Sequence, residues 1–112
     1  ILLQKETPIT EGETYDELHE RLAALGAEML IRTIEMVAEG KARRVPQDHR
    51  LATFAPRLKK EDGWIDWNQE AGKIVQLIRG LSLQPGAYTM LDGKKLKIFT
   101  CMTSSLTSLI HG

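Results

Sequence analysis

Residues 41–60 crowd seven basic side chains against a single acid, Asp48, and they form the one constellation in the 112-residue sequence with a chemistry to offer. Arg43, Arg44, Arg50, Arg57, Lys59 and Lys60, joined by Lys94, Lys95 and Lys97 further along, can contact phosphates. Release of condensed counterions then gives affinity that is blind to sequence and falls as salt rises. The competing explanation is a solvated stretch, or one that neutralises the segment before it, since residues 1–40 hold three basic side chains against nine acids. These opposite blocks cancel, and the formal net charge of zero hides them.

The other reactive residues do not assemble. Asp16, Glu17 and Glu20 cluster near a helix start, where carboxylates favour the positive end of the helix dipole without needing a catalytic role. His19, His49 and His111 lack a second ligand at zinc spacing, so no metal residue is assigned. Cys101 has no neighbouring base or helix N-terminus to activate it. As the one cysteine it excludes an internal disulfide and fits a reducing compartment. No glycine-rich phosphate loop is present. Six aromatic residues argue against a platform for stacking single-stranded RNA, and Trp64 and Trp67 read as core anchors. With no signal-peptide pattern and no apolar run near the ~20 residues of a membrane helix, the expectation is a cytoplasmic protein that does not engage a membrane.

The elements that must position these residues follow from period and turn chemistry. The length fits roughly one domain, and 42% apolar residues suffice for a core. Ile1 to Ile9 reads as a short strand closed by Pro8. Ile1 opens directly into an apolar run without a turn or cap, as expected of a chain cut from a longer one. Thr14 and Glu17 form a capping box, and Leu18, Leu22, Leu25 and Met29, with Leu30, Ile34 and Val37, give one broad apolar face up to Ala38. Gly40 suits the position past the helix end, and Gly26 implies a close contact or a slight break. Lys41 to Gly63 has no sustained period and reads as a surface linker, pinned by Leu51, Phe54 and Leu58. Asn68 is the expected N-cap of a second helix with Ala71, Ile74, Val75, Ile78 and Leu81 as its stripe, stopped by Pro85-Gly86. Tyr88 to Leu91 and Leu96 to Cys101 flank Asp92-Gly93, a strong hairpin signal that opens a sheet or barrel.

Several segments carry a family likeness. Pro8-Ile9-Thr10 and the run Glu13-Thr14-Tyr15-Asp16-Glu17-Leu18-His19-Glu20-Arg21-Leu22-Ala23-Ala24-Leu25-Gly26-Ala27 resemble the end of the catalytic domain of methionyl-tRNA formyltransferases. More specific are Pro46-Gln47-Asp48, Ala52-Thr53-Phe54-Ala55-Pro56-Arg57-Leu58-Lys59-Lys60-Glu61-Asp62-Gly63, Ile65-Asp66-Trp67, Ile78-Arg79-Gly80-Leu81, Pro85-Gly86-Ala87-Tyr88 and Asp92-Gly93-Lys94. Their order and spacing are similar to that family along roughly residues 1 to 100. Phe54 stands where the family usually has tyrosine and Arg57 where it often has lysine. Ser82-Leu83-Gln84 replaces the common Asn-Pro-Trp.

The resemblance implies an α/β fragment of a parent enzyme that moves a formyl group from 10-formyltetrahydrofolate to methionyl initiator tRNA. Residues 1–40 would be the terminal strand and helix of a Rossmann-like catalytic domain and 41–63 a basic linker. Residues 64–103 would be the helix and β-hairpin opening an oligonucleotide-binding-type barrel, and 104–112 a tail outside the likeness. It places the Asn, His and Asp of catalysis before Ile1, so no catalytic or folate-binding residue is assigned and the fragment is expected to be inactive alone, contributing tRNA affinity. It also places Arg57 and Lys60 at basic linker positions that contact tRNA, with Lys59, Arg43, Arg44, Lys94 and Lys95 neighbours by charge alone. Related sugar-nucleotide formyltransferases and the hydrolase domain of formyltetrahydrofolate dehydrogenase are second-ranked families, and a non-catalytic interaction module is the alternative class. Apolar surface exposed by the cut predicts dimerisation or swapping.

Overall fold

Apolar residues every three to four positions and a glycine two residues past Ala38 call for a single long helix ahead of the basic stretch, and that helix is present. The computed structural model describes residues 1–104 and divides them into two units, Ile1–Glu13 with Glu17–Arg57, and Thr14–Asp16 with Leu58 onward.

Helix α1, Tyr15–Ala38, starts where the Thr14 to Glu17 signature predicts. Its end is closed by the glycine geometry anticipated. Gly40 takes a φ of 68°, its N–H donates to Val37 O at 3.1 Å, and the Lys41 N–H donates back to Met36 O at 2.9 Å. These are the two reciprocal bonds that satisfy orphan carbonyls at a helix end. Gly26 marks neither a break nor a contact, because α1 runs through it and a Cβ there would meet no atom within 4 Å. The apolar face is split. Leu18, Leu25, Met29 and Met36 are half-buried, whereas Leu22, Leu30, Ile31, Ile34 and Val37 lie exposed, and no residue of α1 is fully buried.

Residues 1–9 form no strand. A strand needs a ladder, and here there is one rung, in which the Ile1 nitrogen donates to Val45 O at 2.8 Å and Val45 N–H donates to Ile1 O at 2.9 Å. Side-chain bonds hold the segment farther along. The Arg21 guanidinium donates to both Glu13 carboxylate oxygens, at 2.8 and 2.9 Å, to Pro8 O at 2.7 Å and to Thr7 Oγ1. Glu13 in turn accepts the Thr10 N–H at 3.1 Å.

In the second unit, helix α2 (Ala71–Leu81) packs one face against an antiparallel hairpin of β1 (Ala87–Leu91) and β2 (Lys94–Ile98). The turn is the one Asp92-Gly93 predicts. Leu91 pairs with Lys94, and Asp92 and Gly93 take φ values of 48° and 73°, as a two-residue type I′ turn requires. The core is small: Ile65, Ile78, Leu81 and Ala87, each at most 4% exposed, with Ile74, Leu77 and Ile98 packed against it.

Three expectations fail in this unit. The second strand, expected over Leu96 to Cys101, starts and ends earlier, at Lys94–Ile98, because the two-residue turn puts Lys94 directly opposite Leu91. Asn68 does not cap α2; its backbone and side-chain amides both donate to Asp66 Oδ1, at 3.0 and 2.9 Å, which spends it in a turn and delays the helix until Glu70 takes the N-cap position. The tryptophans are not the core anchors either. Trp64 and Trp67 are 48% and 57% exposed while Ile65 between them is 1% exposed, because the chain at 64–65 runs extended alongside β1, where alternation sends Trp64 to the face opposite Ile65, and Trp67 lies in the turn that follows. The segment 104–112 lies, apart from Ser104, outside the described residues.

Candidate nucleic-acid interface

Lone cations on a surface are available to an anionic partner only when no internal acid holds them. Among the described residues, ion pairs hold Arg21, Lys41 and Arg50. Arg50 is engaged most completely. Its Nε and Nη2 donate to the two Asp48 carboxylate oxygens at 2.9 and 2.7 Å, and its backbone N–H donates to Asp48 Oδ1 at 3.0 Å, fixing a short 3-10 turn over His49–Leu51. These bonds from Arg50 pull the Asp48 carboxyl below its usual range. The acid that the composition counted against the basic block therefore cancels one particular arginine.

Arg43, Arg44, Arg57, Lys59, Lys60 and Lys94 make no such pair among the described residues, and all are exposed. The division of the chain separates them. Arg43, Arg44 and Arg57 belong to the first unit, and Lys59, Lys60, Lys94 and Lys95 to the second. In the second unit Lys59 and Lys60 open the 3-10 turn Lys60–Gly63, where the Asp62 carboxylate accepts the Lys59 N–H at 2.7 Å, so the acid is engaged with backbone and not with a lysine ammonium. That turn delivers Gly63 against the hairpin. Ile65 N–H donates to Tyr88 O at 2.9 Å, and Trp64 bridges to Tyr88 in parallel, giving β1 a second neighbour.

This third segment gives the hairpin two distinct faces. Ile65, Ala87 and Ile98 point to the core with α2. Trp64, Tyr88 and Lys97 share the other face, since directly paired residues lie on the same side of a sheet, and Lys95 lies two residues from Lys97 on that side. There the Trp64 and Tyr88 rings meet edge to face, 5.6 Å between centroids and 73° between planes. Lys95 Nζ stands 3.4 Å from the Tyr88 ring centroid, a cation–π contact. Trp67 reaches the same strand from its other side, with Nε1 donating to Thr89 Oγ1 at 3.0 Å. From sequence Lys95 is a neighbour by charge alone; its aromatic partner emerges only in the fold, although the alternation of Lys95 and Lys97 opposite a strand containing Tyr88 carries the signal.

Among the described residues no group of three or more His, Cys, Asp or Glu lies close enough to hold a metal ion, Cys101 is an exposed free cysteine, and no helix is long and apolar enough to cross a membrane.

Comparison with known proteins locates the arrangement. Residues 57–110 match the formyl transferase C-terminal domain. The chain is 52% identical over 99 residues to a methionyl-tRNA formyltransferase of Syntrophus aciditrophicus, covering 88% of this chain and 32% of that protein. It is 48% identical over 99 residues to the Moorella thermoacetica protein of that name, covering 88% and 32%. Against the Geotalea uraniireducens protein it is 45% identical over 104 residues, covering 93% and 33%. The chain thus spans about a third of the length of the curated relatives it matches.

Proposed function

Because the chain belongs to the methionyl-tRNA formyltransferase family, we propose that it supplies part of the grip on initiator methionyl-tRNA while the enzyme moves a formyl group from 10-formyltetrahydrofolate to the methionine amine. The observation that carries this reading is a coincidence of position: the C-terminal-domain match begins at Arg57, where exposed cations without internal ion pairs follow one another at 57, 59 and 60. In this reading residues 1–40 close a Rossmann-like catalytic domain, 41–63 link, and 64–103 open a barrel of the oligonucleotide-binding type, all in the cytoplasm.

The chemistry asked of these residues is electrostatic. Arg57 and Lys60 contact backbone phosphates, and Lys59, Arg43, Arg44, Lys94 and Lys95 add to the local potential. Such contacts orient the acceptor arm without reading its bases. Binding energy gathered away from the reacting amine then serves to position it.

Titration of the chain with initiator tRNA at low and moderate salt tests the reading. Binding is expected to weaken steeply with salt, and the double variant Arg57→Ala, Lys60→Ala to lower both affinity and the logarithmic salt slope, the slope by about 0.9 for each phosphate that is no longer neutralised. Unchanged binding by that variant would refute the assignment of the two side chains.

A second reading has its own observation. Leu30, Ile31, Ile34 and Val37 on α1 are each more than half exposed, and Leu30, Ile34 and Val37 fall in one row with Ile31 beside it. Two copies of the chain cover these rows by pairing them, because contiguous apolar surface of this kind drives association. Sedimentation of the chain is expected to show a dimer, and Leu30→Glu with Ile34→Glu to return it to a monomer; a monomer at all concentrations would end this reading.

A further inference from the structure

The face of the hairpin turned away from the core combines features that phosphate binding alone does not call for. Trp64 is 48% exposed and holds its edge-to-face contact with Tyr88, so the indole is fixed in place while half of it remains open to solvent. Tyr88 is fixed from two further directions. Its backbone carbonyl accepts Ile65 N–H, and its ring carries Lys95 Nζ. Lys97, paired directly with Tyr88, stands on the same face. The two strands together contain Lys94, Lys95 and Lys97 and no acid. Held aromatic rings beside cations are what an unpaired nucleotide needs: a π-face for the base and ammonium groups for the adjoining phosphates. A double helix offers no free base to such a ring, since its bases are stacked on one another.

We propose that Trp64, Tyr88, Lys95 and Lys97 form a stacking site for an unpaired nucleotide of bound RNA. The proposal rests on the RNA-binding reading above and deepens it. Arg57 and Lys60 contact the phosphates of paired RNA. The hairpin face takes a single-stranded base, with Trp64 as the stacking surface, Tyr88 as its buttress, and Lys95 and Lys97 on the flanking phosphates. This replaces the expectation, drawn from the small number of aromatic residues, that no stacking platform exists. Two rings suffice when the fold brings them to one face.

The test uses the whole chain carrying Trp67→Phe, which leaves Trp64 as the one indole and costs its partner only the bond to Thr89 Oγ1. The probes are an oligouridylate of about eight nucleotides, a length within the usual range of single-strand sites, and a duplex of matched charge. Quenching of Trp64 emission by the single strand and not by the duplex is expected. Trp64→Leu, which keeps an apolar side chain against Tyr88, should weaken single-strand binding roughly 5- to 100-fold with little change of salt slope. Lys95→Gln and Lys97→Gln should instead lower the slope by about 0.7 each. Circular dichroism of each variant establishes that the hairpin is intact. Equal quenching by duplex and single strand, or an unchanged affinity for Trp64→Leu, would overturn the stacking site while leaving the phosphate reading standing. Absence of binding to any RNA, initiator tRNA included, would remove both. Quenching by an acidic peptide in place of RNA would assign the face to a protein partner and equally overturn the proposal.

Discussion

A Cβ on Gly63 would lie 2.4 Å from the carbonyl oxygen of Gly86 and 3.3 Å from the Tyr88 ring. Both near neighbours are fixed, one as backbone and one as a packed ring, so no flexible side chain can yield. The close approach lets the chain at 64–65 lie against β1 and places Trp64 beside Tyr88. Gly63→Ala is expected to cost about 1–3 kcal/mol through overpacking. A thermal melt of the variant within a few tenths of a degree of the parent would show that the approach is not as tight as described.

The opposite result is expected for Gly26→Ala. A Cβ there meets nothing within 4 Å, the residue is helical and exposed, and glycine costs a helix interior about 1 kcal/mol relative to alanine. Ellipticity at the helix band should rise and α1 should melt at higher temperature. A loss of helicity would mean that Gly26 serves a contact of another kind.

Stability of the first unit should depend on acid pH through Glu13. The bonds from Arg21 come first among the causes that hold its carboxyl below the usual range, with the Thr10 N–H adding to them. A carboxyl whose pKa is depressed by folding contributes stability that is fully present above its unfolded value and is lost as pH falls through its folded value. The segment at Thr7–Thr10 should therefore loosen from α1 as pH drops below the ordinary glutamate range. Glu13→Gln should show that loosening already at neutral pH and no longer respond over this window, followed through the amide resonance of Thr10. A resonance that moves identically in both proteins would contradict the assignment.

Asp48→Asn offers a gain of function. Asparagine keeps an acceptor for the Arg50 N–H, so the turn survives, but it removes the charge that occupies the Arg50 guanidinium. The released cation should tighten initiator tRNA binding roughly two- to fivefold at low salt, a modest gain because exposed ion pairs are weak. Arg50→Ala in the parent should change binding less than Arg57→Ala. Equal losses from the two arginine variants would mean that Asp48 does not sequester Arg50.

How much of this is legible in the residues depends on how local the governing interaction is. The Asp92-Gly93 turn, the start of α1 at Tyr15 and its closure at Gly40 are decided within a few residues of chain, and each stands where turn and capping chemistry put it. Asn68 has the chemistry of a cap, but Asp66, two residues away, competes for its donors more effectively than the helix does. Ile1 to Ile9 has the composition of a strand, yet pairing is a property of a partner, and Val45 supplies one rung. The Trp64 and Tyr88 contact is invisible in sequence because 24 residues separate them, and only the approach of Gly63 to Gly86 brings them together. The cations are readable as a set, while their division between two units and the removal of Arg50 by Asp48 are not.

The absence of any buried residue in α1 bears on how the chain opens to solvent. A helix with half-buried but no fully buried residues holds its hydrogen bonds with limited tertiary support, and its amides are expected to exchange through local fraying and not through global unfolding. In α2, by contrast, Ile78 and Leu81 are anchored in the core, and the amides around them exchange when that core opens. Deuterium uptake should accordingly run on two clocks, fast along Tyr15–Ala38 and slow along the last turns of α2, and a protease should find the first helix long before it reaches the hairpin.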